Sequence, residues 1–225
     1  MTEGGIESGI EGWLRITVKG QRDYLQGIDP SRAALVIVDL YHGGTSGNFA
    51  TSNWCQGMAR HDEKLAKVWA DRMDNGVTPN VAKLLDLFRE KEMPVIYLSI
   101  GGIAAPPAYP SAIAPKPGDH KVAKFSSGAF STSTLDNLLR DLGTTTLFFV
   151  GHDTAGCVSH TMAGGYDRNY QTILIEDGCF SSVPDLHDAA VKIWRYKGFV
   201  RTAEQVIADY PWKGWIDPGL QPRGH

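Results

Sequence analysis

The sequence predicts an α/β fold, a three-layer α/β/α arrangement around a mostly parallel central sheet of about six strands. Two observations carry this reading. Short, continuously apolar runs recur at residues 33–38 (AALVIV), 94–100 (PVIYLSI), 146–150 (TLFFV) and 172–176 (TILIE), and segments of helical periodicity lie between them. Strands covered by helices on both faces read as unbroken apolar runs, not as alternating ones. Their alternation with helices implies right-handed crossovers between parallel neighbours. At 225 residues the chain reads as one domain, long enough to bury roughly 70% of its unfolded surface.

Residues 1–30 are Gly-rich and weakly patterned, which suggests an arm laid on the domain. The run from Ala33 ends abruptly in Asp39. A helix over 80–91 places Val81, Leu84, Leu85 and Phe88 on one face, with Asn80 as the expected N-cap. Another, over 133–142, carries Leu135, Leu138, Leu139 and Leu142, with Ser133 as expected N-cap and Gly143 as its stop. The segment AGCVSHTMAGGYDRN is helix-like, and helices are expected over 186–196 and 203–209 with a short strand at 199–202 between them. Two segments break the rhythm. Residues 41–79 form a helical insertion containing HDEKLAKVWADRM, and residues 101–120, with five prolines, read as an irregular loop. Insertions longer than the usual connection often serve as lids, substrate walls or oligomer arms. Residues 210–225 form a C-terminal tail.

Composition excludes several function classes. A net charge of −3 provides no electrostatic footprint for nucleic acid or an anionic membrane. Three cysteines, Cys55, Cys157 and Cys179, form neither a CxxC pair nor a disulfide framework, which fits a reducing cytosol. With no secretory signal pattern and no apolar run of membrane-spanning length, a cytoplasmic protein is expected. The first strand continues into DLYHGG and not GxGxxG, so a dinucleotide site of that kind is not expected there.

In an open parallel sheet, ligands bind beyond the carboxyl ends of the strands. Asp39 and Cys157 both follow strands and fall on that edge. A thiol in the first turn of a helix starting near Ala155 would meet unpaired amides and the positive end of the macrodipole, which lower its pKa. Equally, free cysteine often packs as a small hydrophobe. Asp39 is a carboxylate at the active edge, or else a loop-pinning side chain. His160 follows Cys157 by one turn, as a base or as an ordinary helix residue. Lys124, within KFSSGAF, taken alone reads as a solvated surface charge.

Together, AALVIVDL, KFSSGAF followed by STLDNLLRDLGTTTLFFVG, and TAGCVSHTMAGGYDRNYQTILIED resemble the isochorismatase-like cysteine hydrolases across residues 30–205. That family includes nicotinamidases, N-carbamoylsarcosine amidohydrolase, biuret and triuret hydrolases, and isochorismatase. The resemblance implies a catalytic triad of Asp39, Lys124 and Cys157, with Lys124 lowering the thiol pKa. It implies a cis peptide between His152 and Asp153, and an oxyanion hole formed by the backbone amides of Asp153 and Cys157. Phe130 and Thr154 match family motif positions and, with Tyr41, are candidate pocket residues. Trp54 and Trp69 in the insertion are aromatic wall candidates or simply structural.

This chain departs from the family where many members read VDMQNDF after the first strand. The Asp-x-His metal element of nicotinamidases is also absent from YLSIGGIAAPP, and neither His42 nor His61 restores it. No metal and no cofactor are therefore expected. The resemblance implies a small-molecule substrate, homo-oligomers (dimer or tetramer), and hydrolysis of a C–N bond in an amide, carbamoyl or ureide compound through a covalent cysteine intermediate. The alternatives are vinyl-ether or ester hydrolysis on the same scaffold, and a non-catalytic binding or scaffold protein.

Overall fold

Six parallel strands form one sheet in the order β3-β2-β1-β4-β5-β6. They are β1 (Ala33–Val38), β2 (Val95–Ile100), β3 (His120–Lys124), β4 (Thr146–His152), β5 (Gln171–Phe180) and β6 (Val200–Arg201). The computed structural model describes residues 28–41, 47–101, 107–197 and 200–212. Most of the N-terminal arm, the segment 42–46 with His42, and the tail beyond 212 lie outside the described residues.

Seven helices are described: α1 (Asn53–Ala59), α2 (Glu63–Asp71), α3 (Thr78–Glu90), α4 (Leu135–Asp141), α5 (Ser159–Tyr166), α6 (Pro184–Lys197) and α7 (Ala203–Ala208). All six residues of β1 are buried, and they alternate between two cores. Leu35 and Ile37 join Leu84, Leu85 and Phe88 of α3 and Val206 of α7 on one face. Val36 and Val38 join Leu139 of α4, Met162 of α5 and Trp194 of α6 on the other. This accounts for the unbroken apolar run, because a central strand covered on both sides has no wet face.

Several local expectations change. Asn80 is not a cap: α3 begins at Thr78 as a continuation of a π-helical segment, Arg72–Val77, and the Asn80 amide donates to the Asp177 carbonyl at 3.1 Å. Ser133 is not the cap either: α4 begins at Leu135 with Thr134 in the N-cap position, and Ser133, one residue earlier, accepts from the Leu135 N–H at 3.1 Å, while Gly143 stops the helix with φ 65°. The proline-rich loop leads into a strand that periodicity does not reveal. In β3 the burial pattern is mixed, as expected for a strand with a neighbour on one side only. That strand ends in Lys124, whose side chain is fully buried, which overturns its reading as a surface charge.

The connections place the working edge. From β1 the chain crosses to β2 on one side, and β4 then joins β1 on the other, so the order reverses between β1 and β4. Such a reversal leaves a crevice at the carboxyl ends of the two strands. Gly151 makes the close approach there possible. It has φ 144°, and a Cβ on it would lie 2.2 Å from the Val38 carbonyl oxygen.

Candidate active site

Three side chains meet beyond these strand ends. Asp39, one residue past β1, has φ 52°, a left-handed conformation uncommon outside glycine. Lys124, at the end of β3, brings its Nζ to 2.8 Å from Asp39 Oδ2, 3.1 Å from the Ser126 carbonyl and 3.5 Å from Cys157 Sγ. An ammonium has three donors, and here each has a partner. Asp39 Oδ1 is buried with no partner in ordinary hydrogen-bond geometry among the described residues. The Cys157 thiol lies close enough to the Asp39 carboxyl that the two groups influence each other's ionisation.

Cys157 lies in a five-residue π turn, Thr154–Val158, that precedes α5, and Gly156 within it departs from helical geometry (φ −104°, ψ −105°). The simple first turn of an α-helix expected from the sequence is therefore replaced by a kinked one. Asp153 caps it. Its carboxylate accepts from the Ala155 N–H at 2.9 Å, the Ser182 N–H at 3.1 Å, the Ser182 hydroxyl at 3.2 Å, and the Ser181 hydroxyl. The preceding peptide, His152–Asp153, is cis.

The electrostatics differ from the expectation of a lowered thiol pKa. Burial pushes the Cys157 thiol up, the Asp39 carboxylate pushes it further, and Lys124 only partly offsets them. Burial likewise raises Asp39 above the usual carboxylate range, against the pull of Lys124. A resting thiol beside a carboxylate is therefore the arrangement favoured here. Burial opposes ionisation of Asp153 too, but its four hydrogen bonds and the neighbouring His152 hold it below the usual range. His152, half-buried between Trp69 and Phe180, is pushed down by burial to about 4. It is consequently neutral near pH 7. His160 is exposed on α5.

Of the pocket candidates, Tyr41 stands at the site. Its hydroxyl accepts from the Ile100 N–H at 3.1 Å, and its pKa is raised by burial and by the charges of Asp39 and Cys157. Phe130 instead sits in the core, against Tyr170 and the glycine pair of α5, where a Cβ on Gly165 would lie 3.2 Å from its ring. Thr154 is fully buried, its hydroxyl 2.9 Å from His187 Nδ1 of α6. Trp69 is buried and donates to the Ser182 carbonyl at 3.0 Å, while Trp54 stacks on it and remains exposed.

Sequence reasoning missed Ser181, Ser182 and His187, which pin the turn that carries Cys157 from the end of β5 and from α6. The only local trace of them is the small polar pair following the apolar run of β5. Among the described residues, no group of three His, Cys, Asp or Glu side chains is placed to hold a metal ion. Nor is any described helix long and apolar enough to cross a membrane.

Comparisons with known proteins agree with this architecture. The isochorismatase domain model matches residues 33–205. The ureidoacrylate amidohydrolase RutB of Methylobacterium radiotolerans is 38% identical over 81 residues, a stretch covering 36% of this chain and 31% of that protein. The match thus spans about a third of that relative's length. The secreted isochorismatase effector Isc1 of Verticillium dahliae is 26% identical over 165 residues, covering 67% of this chain and 76% of the effector. Among solved structures, a cysteine hydrolase from Pseudomonas syringae pv. phaseolicola superposes with a TM-score of 0.64 at 21% identity, covering 80% of this chain and 93% of the other.

Proposed function

Because the chain belongs to the isochorismatase domain family, matched over residues 33–205, we propose that it is a cysteine-dependent amidohydrolase acting on a small amide, carbamoyl or ureide compound. One observation carries the reading: a fully buried Lys124 holds both Asp39 Oδ2 and Cys157 Sγ, while Asp39 Oδ1 has no hydrogen-bond partner among the described residues. A buried carboxylate oxygen without a donor costs stability, and its retention in a folded site points to chemical work. Asp39, Lys124 and Cys157 form the catalytic triad of this reading. The local identity to an amidohydrolase named for ureidoacrylate supports C–N chemistry.

In this mechanism the thiol proton passes to Asp39 as the sulfur attacks the substrate carbonyl carbon, forming a C–S bond. The carbonyl electron pair moves to oxygen, where the backbone N–H groups of Asp153 and Cys157 receive the oxyanion. Lys124 balances the negative charge that shifts between Asp39 and the sulfur. Collapse re-forms the carbonyl and breaks the C–N bond, and Asp39 returns its proton to the departing nitrogen. Water, deprotonated by Asp39, then attacks the thioester-type intermediate and releases the acid product and the free thiol. The raised pKa of Asp39 suits this double duty, because an acid–base group works best near the operating pH. Tyr41 borders the reacting atoms. Its phenol accepts from a backbone amide and so keeps its own proton available to a substrate acceptor.

The test is to measure ammonia or amine release from a panel of carbamoyl, ureido and amide compounds, together with mass spectrometry of trapped enzyme. An acyl adduct on Cys157, absent in Cys157→Ala along with turnover, is expected. Full activity in Cys157→Ala would sink the proposed nucleophile. The similarity to a secreted isochorismatase effector keeps vinyl-ether cleavage as a second reading. Release of pyruvate without ammonia would select it.

A further inference from the structure

The loop 125–132 that follows β3 holds Lys124 in place. The Ser126 carbonyl takes one of the three ammonium donors at 3.1 Å, leaving the others for Asp39 Oδ2 at 2.8 Å and Cys157 Sγ at 3.5 Å. The loop is braced within itself. The Phe125 N–H donates to Thr132 Oγ1 at 3.2 Å, and the Ser126 and Thr132 hydroxyls both reach the Gly128 carbonyl, at 3.0 and 3.2 Å. It therefore moves as one piece, and whatever anchors part of it fixes the Ser126 carbonyl as well. That part lies against α5, where a Cβ on Gly128 would touch the His160 carbonyl oxygen at 3.4 Å.

Beside this contact stands Thr161, on α5 four residues past Cys157 and fully buried. Its hydroxyl donates to the Cys157 carbonyl at 2.7 Å and accepts from the Ala129 N–H at 3.3 Å. The Ser127 carbonyl is also within 3.4 Å, but a hydroxyl has one proton and the nearer carbonyl takes it. A threonine that only returned its proton to the carbonyl one turn back would be an ordinary helix feature. The second bond sets this one apart. Ala129 is fully buried, so its N–H needs an acceptor, and the side chain that supplies it belongs to the helix leading out of the Cys157 turn.

We propose that Thr161 is a positioning residue that ties the Cys157 turn to the loop of Lys124 and so sets the separation of Lys124 Nζ from Cys157 Sγ. The bonds from Ser181, Ser182 and His187 fix the shape of the turn but join no residue of 125–132. Thr161 joins the two segments to each other. Lys124 acts on the sulfur by charge, an attraction that weakens with distance, and it is the group that opposes burial and Asp39 at the thiol. Without the anchor at Ala129 the loop can carry the Ser126 carbonyl, and the ammonium with it, away from the sulfur. The thiol then becomes harder to ionise.

The pH dependence of Cys157 alkylation by iodoacetamide, read on its peptide by mass spectrometry, tests this without any substrate, because the thiolate is the reacting form. Only the kinetic readout below rests on the amidohydrolase reading. Thr161→Val keeps nearly the same shape and removes the hydroxyl. Its alkylation midpoint is expected to rise by about one pH unit, a roughly tenfold slower reaction below the midpoint, with the limiting rate at high pH unchanged. Thr161→Ser, which restores the hydroxyl, should return the midpoint to the wild-type value. With a substrate in hand, kcat should fall about tenfold in Thr161→Val while KM changes less than threefold. A role confined to packing would lower the melting temperature and leave the midpoint where it was, and that result overturns the proposal. So does a Thr161→Ser midpoint as high as that of Thr161→Val. If Thr161→Val fails to fold, hydrogen exchange at the wild-type Ala129 amide decides: slow exchange like that of α5 is expected, and exchange at the rate of an open loop overturns the proposal. A shifted midpoint in a chain that releases amine from no compound would uphold the positioning role and remove the amidohydrolase reading instead.

Discussion

Asp39 and Asp153 stand at the same sheet edge, one beyond β1 and one beyond β4, and meet opposite fates. Asp153 has both oxygens occupied, by two backbone amides and two serine hydroxyls, and its carboxyl is held below the usual range. Asp39 has one oxygen on Lys124 and the other without a hydrogen-bond partner among the described residues, and burial holds its carboxyl above that range. A carboxylate whose lone pairs are filled by fixed donors is finished as a structural element. One left half-filled in a low-dielectric crevice stays a proton acceptor. The difference lies in the donors that the fold brings to each, because the side chains are identical.

The sharpest way to break this comparison is to make both carboxylates into amides. Asp39→Asn removes the only base of the proposed mechanism, and kcat/KM for amine release should fall by about 10³ or more. In the wild type the acid limb of the kcat/KM profile should lie above 3.8, because activity needs Asp39 ionised and its carboxyl keeps its proton to higher pH than usual. That limb, like the alkaline one, belongs to the Asp39–Cys157 pair as a unit. A limb at the ordinary carboxylate value would remove Asp39 from the role.

His152, between the two regions, sharpens the contrast through stability. Its folded pKa of about 4 lies below the ordinary imidazole value of 6.5, so between these values the unfolded chain binds more protons. Stability should therefore rise with pH across that window, by up to about 3 kcal/mol, and be lost as pH falls. Denaturant melts at pH 4.5 and 7 measure it, and His152→Gln should flatten the dependence. Asp153→Asn is expected to cost about 1–3 kcal/mol in the same melts, since the amide presents an NH₂ where the carboxylate accepted. Its loss of activity should stay at least tenfold smaller than that of Asp39→Asn. Equal losses would show that capping the turn matters as much as the base. Smallest of all, Tyr41→Phe removes one hydrogen bond from the Ile100 amide and should cost about 1 kcal/mol, seen as a fivefold or smaller change in kcat/KM.

Legibility followed the range of the interactions. The strands at 33–38, 94–100 and 146–150 were readable because burial on both faces writes itself as an apolar run, and Gly143 was readable as a stop because αL geometry is a local demand. The edge shared by Asp39 and Cys157 followed from each lying just past the end of a strand in a parallel sheet. β3 escaped, since a short strand of mixed burial after a proline-rich loop has no clear period. Lys124 read as a surface charge by itself, and only the family resemblance drew it to the site. Phe130 and Thr154 matched motif positions, yet one fills the core beneath α5 and the other is locked to α6.

By itself, then, the chain's sequence determined the layered sheet, the family and the three side chains worth watching, because apolar periodicity and short motifs are local properties. Tertiary structure alone decided the protonation balance. The helix position and the neighbouring lysine argued for a lowered thiol pKa, but burial and Asp39 outweigh them. Desolvation depends on everything packed around a group, and the donors that separate Asp153 from Asp39 come from strands and turns far away in the chain. For the same reason the tie from Thr161 to Ala129 showed itself only once the loop was seen packed on α5.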